Sequence, residues 1–289
     1  MKNKNNQYYY SFDWHLTDYC NFDCVYCHPQ IKAVKNRPLP YSMKSDEVAK
    51  CFNQLKKRCL ISLSGGEPFL YPDFINLCKH LTKGGNYLSI NTNLSVRELI
   101  KQFAEEINPK FIKAIYASLH ILERERLGLK VDDFINDCLL LQKKKFPLVV
   151  YYVMYPPLFS RFEKDCNYLK KRGIKVLALK IFKGFYQNKK YPDAYTEEER
   201  KKMIEYPFNE YNYTLGYLSG ETYKTKGKLC RAGVNFFKVE VDGWVHRCPA
   251  DEEDFGNLFK GTFKPKNKPY PCRVKEGWSL SQCKANLIL

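Results

Sequence analysis

Six short apolar segments, at residues 11–16, 60–64, 87–91, 111–119, 148–154 and 176–182, alternate with stretches of helical periodicity. Runs this short suit strands, and the longer amphipathic intervals suit helices. Strand–helix alternation predicts an α/β chain with a parallel sheet and helices packed outside it. The helical stretches have sensible ends. Residues 73–83 run into Gly84-Gly85 and residues 159–172 into Gly173, where glycine can take the left-handed cap. Thr196 and Glu199 fit a capping box opening a further helix that ends near Tyr206. At 289 residues the chain has room for one large domain and a small extension. No apolar run reaches the roughly eighteen residues that a spanning helix needs, so no membrane is expected.

Cys20, Cys24 and Cys27 are spaced C-x3-C-x2-C, directly after the first predicted strand. Three thiols suit an electron-carrying iron–sulfur cube poorly, because each of its irons wants a ligand. Three thiolates leave one iron open, and an open iron beside a reducible cluster is a reaction site. The bland readings are half of a zinc site and thiols that merely lie close together. Spacing alone leaves iron–sulfur and zinc both open.

The second strand runs through Leu60-Ile61-Ser62-Leu63-Ser64 into Gly65-Gly66-Glu67-Pro68, then Leu70-Tyr71-Pro72-Asp73-Phe74. Glycines at a strand end let backbone approach a ligand closely and adopt positive φ. The proline stiffens the exit from the turn. A bare glycine pair would mark an ordinary turn and nothing more.

The two motifs together, in this order and at this separation, resemble the radical S-adenosylmethionine (radical SAM) superfamily. That resemblance implies a partial (β/α)6 TIM-like barrel, with reactive groups at the C-terminal ends of the strands. It implies that Cys20, Cys24 and Cys27 hold a 4Fe–4S cluster whose open iron is chelated by S-adenosylmethionine. One-electron reduction in such enzymes yields methionine and a 5′-deoxyadenosyl radical, which abstracts hydrogen from an unactivated carbon. By the same resemblance Tyr26 lies against the adenine, Gly65, Gly66 and Glu67 receive the methionine amino group, and Pro68 belongs to the same cofactor-binding turn. Thr92 and Asn93, ending the third strand, would reach the ribose, and Ser118 the methionine carboxylate. Each of these three also reads as a simple strand-end turn residue.

A second set of thiols, Cys230, Cys248, Cys272 and Cys283, occupies the tail. Between the first two, residues 234–247 read as a β-hairpin turning at Asp242-Gly243. The pattern C-x12-G-x4-C followed by Gly256-Asn257 resembles the start of the SPASM/twitch extension. This implies a small C-terminal β-hairpin plus helix extension binding an auxiliary 4Fe–4S cluster. A full SPASM domain has seven cysteines, so the shorter twitch type with one cluster is the better match. The ten-residue gap between Cys272 and Cys283 departs from the usual tight closing pair. A zinc site, or a three-cysteine cluster open to substrate, are the competing readings. The boundaries expected are 1–190 for the barrel, 191–229 for a connecting segment and 230–289 for the extension. In the connector, Phe208, Tyr211, Tyr213 and Tyr217 read as packing between barrel and tail. Cys51, Cys59, Cys78, Cys138 and Cys166 read as small buried hydrophobes. The lack of an apolar signal stretch in residues 1–7, and clusters that need a reducing compartment, point to a cytoplasmic protein without disulfides.

The formal charge is +17, and lysine outnumbers arginine. Such a field favours anionic partners. The lysines are scattered, with 143–145 the longest run, and no basic stripe interleaved with aromatics is evident, which argues against nucleic acid. Docking of a small acidic flavodoxin- or ferredoxin-type electron donor is the more economical reading. The cluster loop begins at Cys20, leaving no room for the N-terminal recognition domain of many peptide modifiers. That favours a small-molecule substrate, such as a sugar, aminocyclitol or nucleotide-linked metabolite, over a peptide or protein. The auxiliary cluster would then take the second electron of an oxidation. His120 is a candidate for the accompanying proton, against the reading of an ordinary hydrogen-bonded histidine. Outside enzymology, an electron-transfer or redox-sensing iron–sulfur protein competes, but it needs no turn of the Gly65–Pro68 kind.

Overall fold

The computed structural model describes residues 9–27, 32, 35–206, 224–275, 283 and 285–288. Six strands form its centre: β1 (Tyr10–Thr17), β2 (Cys59–Gly65), β3 (Tyr87–Thr92), β4 (Ile112–Ser118), β5 (Leu148–Met154) and β6 (Leu177–Ile181). Each pairs in parallel with the next. The connections carry α1 (Ser45–Asn53), α2 (Phe74–Lys83), α3 (Arg97–Glu106), α4 (Ile121–Arg126), α5 (Val131–Lys143) and α6 (Phe162–Lys171), with α7 (Glu197–Glu205) after β6. This is the partial (β/α)6 barrel expected, open between its edges.

Helix ends follow the local chemistry. Gly85 has φ +83° and Gly173 φ +97°, a region open to glycine without a Cβ penalty. At Thr196 the capping box is complete. The Glu199 N–H donates to Thr196 Oγ1 at 3.2 Å, and the Thr196 N–H donates to Glu199 Oε2 at 2.8 Å. The predicted helix at 159–172 starts later, at Phe162, because Pro156–Leu158 forms a one-turn 3-10 helix first.

Alternation along the strands splits the sheet into two chemically different faces. Phe12, Trp14, Leu16, Ile61, Leu63, Leu88, Ile90, Ile115, Ala117, Val150, Met154, Leu177 and Leu179 are buried and face the helices. Their neighbours one residue away face the concave side: Asp13 and His15 on β1, Ser62 and Ser64 on β2, Ser89 and Asn91 on β3, Tyr116 and Ser118 on β4, Tyr151 on β5 and Lys180 on β6. Register ties them into rows, with Asp13 opposite Ser62, Ser62 opposite Ser89, Asn91 opposite Tyr116 and Ser118 opposite Tyr151. A period of two therefore places a packed core on one side and a polar trough on the other.

The tail adds strands to the same sheet. β7 (Gly184–Tyr186) and β8 (Lys189–Tyr191) form a separate hairpin, and β9 (Leu229–Cys230) pairs with β13 (Tyr270–Pro271). β10 (Phe236–Val239) lies parallel to β1, and β11 (Trp244–Cys248) turns back against it through Gly243, φ +84°. β12 (Asp251–Asn257) completes a sheet ordered β12-β11-β10-β1-β2-β3-β4-β5-β6. The hairpin was legible in the sequence, but β12 was not. Its acidic start, Asp251-Glu252-Glu253-Asp254, has poor strand propensity, and pairing with β11 overrides it. Cys59, Cys78, Cys138 and Cys166 are fully buried as expected; Cys51 is only half-buried, its thiol donating to the Glu47 carbonyl at 3.3 Å. The exposed side of α1 sets that difference. Phe208, Tyr211, Tyr213 and Tyr217 lie outside the described residues, as do 276–282.

Candidate functional site: two thiol sets across a polar trough

Cys20, Cys24 and Cys27 occupy the loop that leaves β1. Its base is stapled shut: the Asn36 N–H donates to the Asp18 carbonyl at 2.8 Å, the Cys20 N–H to Asn36 Oδ1 at 3.1 Å, and Arg37 pairs with the buried Asp18 at 2.9 Å. The far side of the loop is tied by the Asp23 N–H, which donates to Glu123 Oε1 at 2.6 Å. Within it the Cys27 N–H donates to the Cys24 carbonyl at 3.0 Å, closing a turn that groups the thiols. Burial pushes the Cys20 thiol up to about 11 and the Cys24 thiol higher still, and each is raised further by neighbouring thiols. Thiols this desolvated ionise only when a cation arrives to be bound.

Gly65 and Gly66 are required for a reason the sequence did not reveal. A Cβ on Gly65 would collide with the Thr17 carbonyl and the His15 ring, and one on Gly66 with the Tyr19 carbonyl. The Gly66 N–H donates to the Thr17 carbonyl at 2.7 Å and the Glu67 N–H to the Tyr19 carbonyl at 2.6 Å. The turn is thus bonded directly to the chain entering the cysteine loop. Pro68 opens the one-turn helix Pro68–Leu70.

Glu67 is 1% exposed. Its carboxylate accepts from Thr92 Oγ1 at 2.6 Å, from the Asn93 N–H at 2.6 Å and from the Phe69 N–H at 3.2 Å. Burial pushes it up to about 7 despite these donors. Thr92 also accepts from the Leu94 N–H at 3.0 Å, and the Asn93 side chain donates to Asn21 Oδ1 at 3.1 Å. Thr92 and Asn93 are therefore committed to fixing Glu67 and the cysteine loop. Ser118 lies half-buried at the end of β4, on the trough side.

Tyr26 is stacked on His120, with ring centroids 5.7 Å apart and planes at 25°, and its hydroxyl lies 3.3 Å from His120 Nδ1. His120 caps α4 with φ +47°. Burial, aided by Lys180 and Arg124, pulls its imidazole down to about 3. At neutral pH this ring is uncharged and a weak base, so it serves as a platform for Tyr26. Two residues escaped the sequence reading. Glu123 anchors the cysteine loop as described. Arg124, 2% exposed, donates from Nε to the Leu119 carbonyl at 2.7 Å and from Nη2 to the Asn93 carbonyl, and lies over the Phe134 ring. Helical spacing alone makes both look like solvated charges.

The tail thiols also converge. β9 pairs with β13 so that Tyr270 faces Cys230, the Cys272 N–H donates to the Lys228 carbonyl at 2.8 Å, and Cys230 bridges Leu287. Cys230 is buried in an apolar cluster with Ala232, Phe236 and Leu287, against which Cys248, Cys272 and Cys283 pack. Burial raises the Cys230 thiol and pushes Cys248 up to about 11, and both feel Cys272 and Cys283. Among the described residues no three His, Cys, Asp or Glu side chains close on a single metal ion.

Register fixes where the two sets stand. Lys238 pairs with His246 and Phe236 with Ser11, so Cys248, two residues beyond His246, is level with the start of β1 and on the concave side. Cys20 follows the end of β1. The intervening strand is roughly 20 Å long, and the polar trough occupies that interval.

The radical SAM superfamily profile matches residues 14–191. This chain belongs to the radical SAM superfamily. As such it is an enzyme that uses a 4Fe–4S cluster and S-adenosylmethionine. Among sequence relatives, GTP 3′,8-cyclase of Haemophilus influenzae is 36% identical over 91 residues, 30% of this chain and 26% of that protein. The Rhodopirellula baltica GTP 3′,8-cyclase is 30% identical over 113 residues, 37% of this chain and 30% of that protein. The matches thus span under a third of these relatives' length. Among solved structures, Streptococcus suis SuiB bound to S-adenosylmethionine superposes with TM-score 0.62 at 16% identity, covering 86% of this chain and 63% of that one. The structure of native anSMEcpe with bound AdoMet and Kp18Cys peptide superposes with TM-score 0.61 at 18% identity, covering 89% of this chain and 80% of that one. At such identities the radical SAM fold is what is shared. Among the described residues no helix is long and apolar enough to cross a membrane.

Proposed function

We propose that this radical SAM enzyme oxidises a small polar molecule held in the concave trough between its two thiol sets. The observation that carries the reading is the polar face itself, bracketed by Cys20, Cys24 and Cys27 at one end and by the convergent Cys230, Cys248, Cys272 and Cys283 at the other. When bound, a cluster with S-adenosylmethionine at the first set supplies a radical for hydrogen abstraction, and an auxiliary 4Fe–4S cluster at the second supplies a one-electron acceptor. The chain's own residues do the positioning. Tyr26, Gly65, Gly66, Glu67, Pro68 and Ser118 line the seat of the methionine and adenine groups. Thr92 and Asn93 serve it by holding the buried Glu67 carboxyl, which fixes the turn that forms the seat. Burial at both thiol sets excludes water. Residues 1–190 act as the barrel, 191–229 as connector and 230–289 as the cluster-binding extension, in the cytoplasm. The strongly basic surface suits an acidic flavodoxin- or ferredoxin-type donor.

A second reading, modification of a peptide or protein, is favoured by the peptide present with one fold neighbour. The sheet ends in two edge strands, β6 and β12, and an edge of this kind can receive an extended chain. The two readings separate in an anaerobic assay. After reconstitution, about eight irons per chain are expected, with 5′-deoxyadenosine released on incubation with S-adenosylmethionine and dithionite. Under the first reading the low-molecular-mass fraction of a cell extract stimulates that release and the peptide fraction does not. Stoichiometric zinc with no S-adenosylmethionine cleavage overturns both.

A further inference from the structure

His15 lies on the concave face of β1, level with Ser64 on β2. The Cδ2–Nε2 edge of its ring packs against Gly65, where a Cβ would stand 2.7 Å from Cδ2 and 3.1 Å from Nε2. Nε2 is sealed from solvent and lies 2.9 Å from Oδ1 of Asp18, a side chain only 2% exposed. The other oxygen of that carboxylate is taken by Arg37 at 2.9 Å. Oδ1 has no further partner among the described residues. The carboxylate therefore assigns the ring proton to Nε2 and leaves the lone pair on Nδ1. The contact is close but out of line, as such pairs often are before substrate binds. The opposite ring edge, Nδ1–Cε1, is left to the trough, where 12% of the side chain stays exposed. No described residue bonds Nδ1. Burial, aided by Lys238, holds the imidazole below its usual range against the pull of Asp18, Glu240 and Asp13. At neutral pH the ring is uncharged and its lone pair is available. Around it stand groups that bond hydroxyls: Asp13, two residues back on the same face, accepts from Ser64 Oγ at 3.3 Å, and Ser62 pairs with Asp13 across the sheet.

We propose that His15 is the proton acceptor of the oxidation, with Nδ1 taking the proton of a hydroxyl on the carbon that has lost its hydrogen, so that the substrate is an alcohol and the product a carbonyl compound. At that step the O–H bond breaks and its proton passes to Nδ1. A C=O bond forms, and the remaining electron passes to the iron–sulfur cluster assigned above to the second thiol set. Asp18 orients the ring and stabilises the imidazolium that results. The assignment rests on the reading of the trough as substrate space and narrows the substrate class.

The test uses reconstituted protein with S-adenosylmethionine, dithionite and the low-molecular-mass fraction of a cell extract. Mass spectrometry follows 5′-deoxyadenosine and any extract compound that loses two hydrogens. Product formed per 5′-deoxyadenosine should fall about a hundredfold in His15→Ala and in the similarly sized His15→Gln, with iron content unchanged. His80→Gln, on α2 outside the trough, should match the wild type. Added imidazole should restore product to His15→Ala, increasingly so as pH rises from about 6 to about 8 and more of it is unprotonated. Independently of turnover, diethyl pyrocarbonate should modify His15 in the wild type, mapped on peptides, because its free lone pair faces the trough. Unchanged product yield in both His15 variants overturns the assignment. So does a loss that imidazole does not restore, which would make His15 a packing partner of Gly65, and so does a wild-type His15 that the reagent leaves unmodified. A wild type in which the extract neither stimulates 5′-deoxyadenosine release nor yields an oxidised compound overturns the trough reading instead.

Discussion

Arg247 lies fully buried with its guanidinium carbon 3.7 Å from the centroid of the Tyr270 ring. From there it donates to the carbonyls of Ala232 at 3.2 Å, Tyr270 at 3.1 Å and Pro271 at 3.1 Å, and pairs with Asp251 at 3.3 Å. One side chain thereby joins the segments that carry Cys230, Cys248 and Cys272. A lysine cannot reproduce the planar fork. Arg247→Lys should therefore lower stability by about 2 kcal/mol. It should also lower iron content preferentially at the tail, as read by iron analysis. Full iron loading in that variant would contradict the role.

The two thiol sets should separate by mutation. Changing Cys20, Cys24 and Cys27 together to Ala is expected to lower iron from about eight to about four per chain and to abolish 5′-deoxyadenosine release. Changing Cys230 and Cys248 to Ala is expected to cost a similar amount of iron while leaving measurable cleavage. Equal loss of cleavage in both proteins would remove the proposed division between the sets.

Glu67 carries a pH signature. Burial raises its carboxyl from 4.5 to about 7, so the folded chain keeps a proton that the unfolded chain has already released. Its stabilisation is fully present below pH 4.5 and is lost as pH rises through about 7. In urea titrations without S-adenosylmethionine, the wild type should lose of order 1–3 kcal/mol between pH 5 and pH 8 that Glu67→Gln does not lose. Parallel pH profiles would show that the donors from Thr92 and Asn93 outweigh burial.

Gly66→Ala tests the contact between the glycine turn and the cysteine loop. Gly66 does not have positive φ, so the expected damage comes from collision of the new Cβ with Tyr19 rather than from backbone strain. Overpacking of this kind costs about 1–3 kcal/mol. Cluster assembly should fall with it, measured by absorbance on reconstitution, whereas Gly85→Ala, which strains a left-handed residue past the end of α2 without touching the cysteine loop, should cost stability yet load iron normally.

Periodicity and short-range chemistry carried much of this protein. Apolar runs and glycine stops define β1 to β6 and the ends of α2 and α6, because alternation and capping are local properties. The cysteine spacing and the Gly65–Pro68 turn point to the superfamily because both motifs are contiguous in the chain. What lay beyond the sequence depends on partners far apart along it. Pairing with β11 makes a strand of the acidic residues at 251–254. Thr92 turns inward because Glu67 needs a donor, and Glu123 becomes an anchor because the Asp23 N–H comes within reach. Arg124 and Arg247 look like surface charges until the fold surrounds them with carbonyls. Strand register, a tertiary fact, is what sets the two thiol sets across one polar trough and turns Lys180 into it.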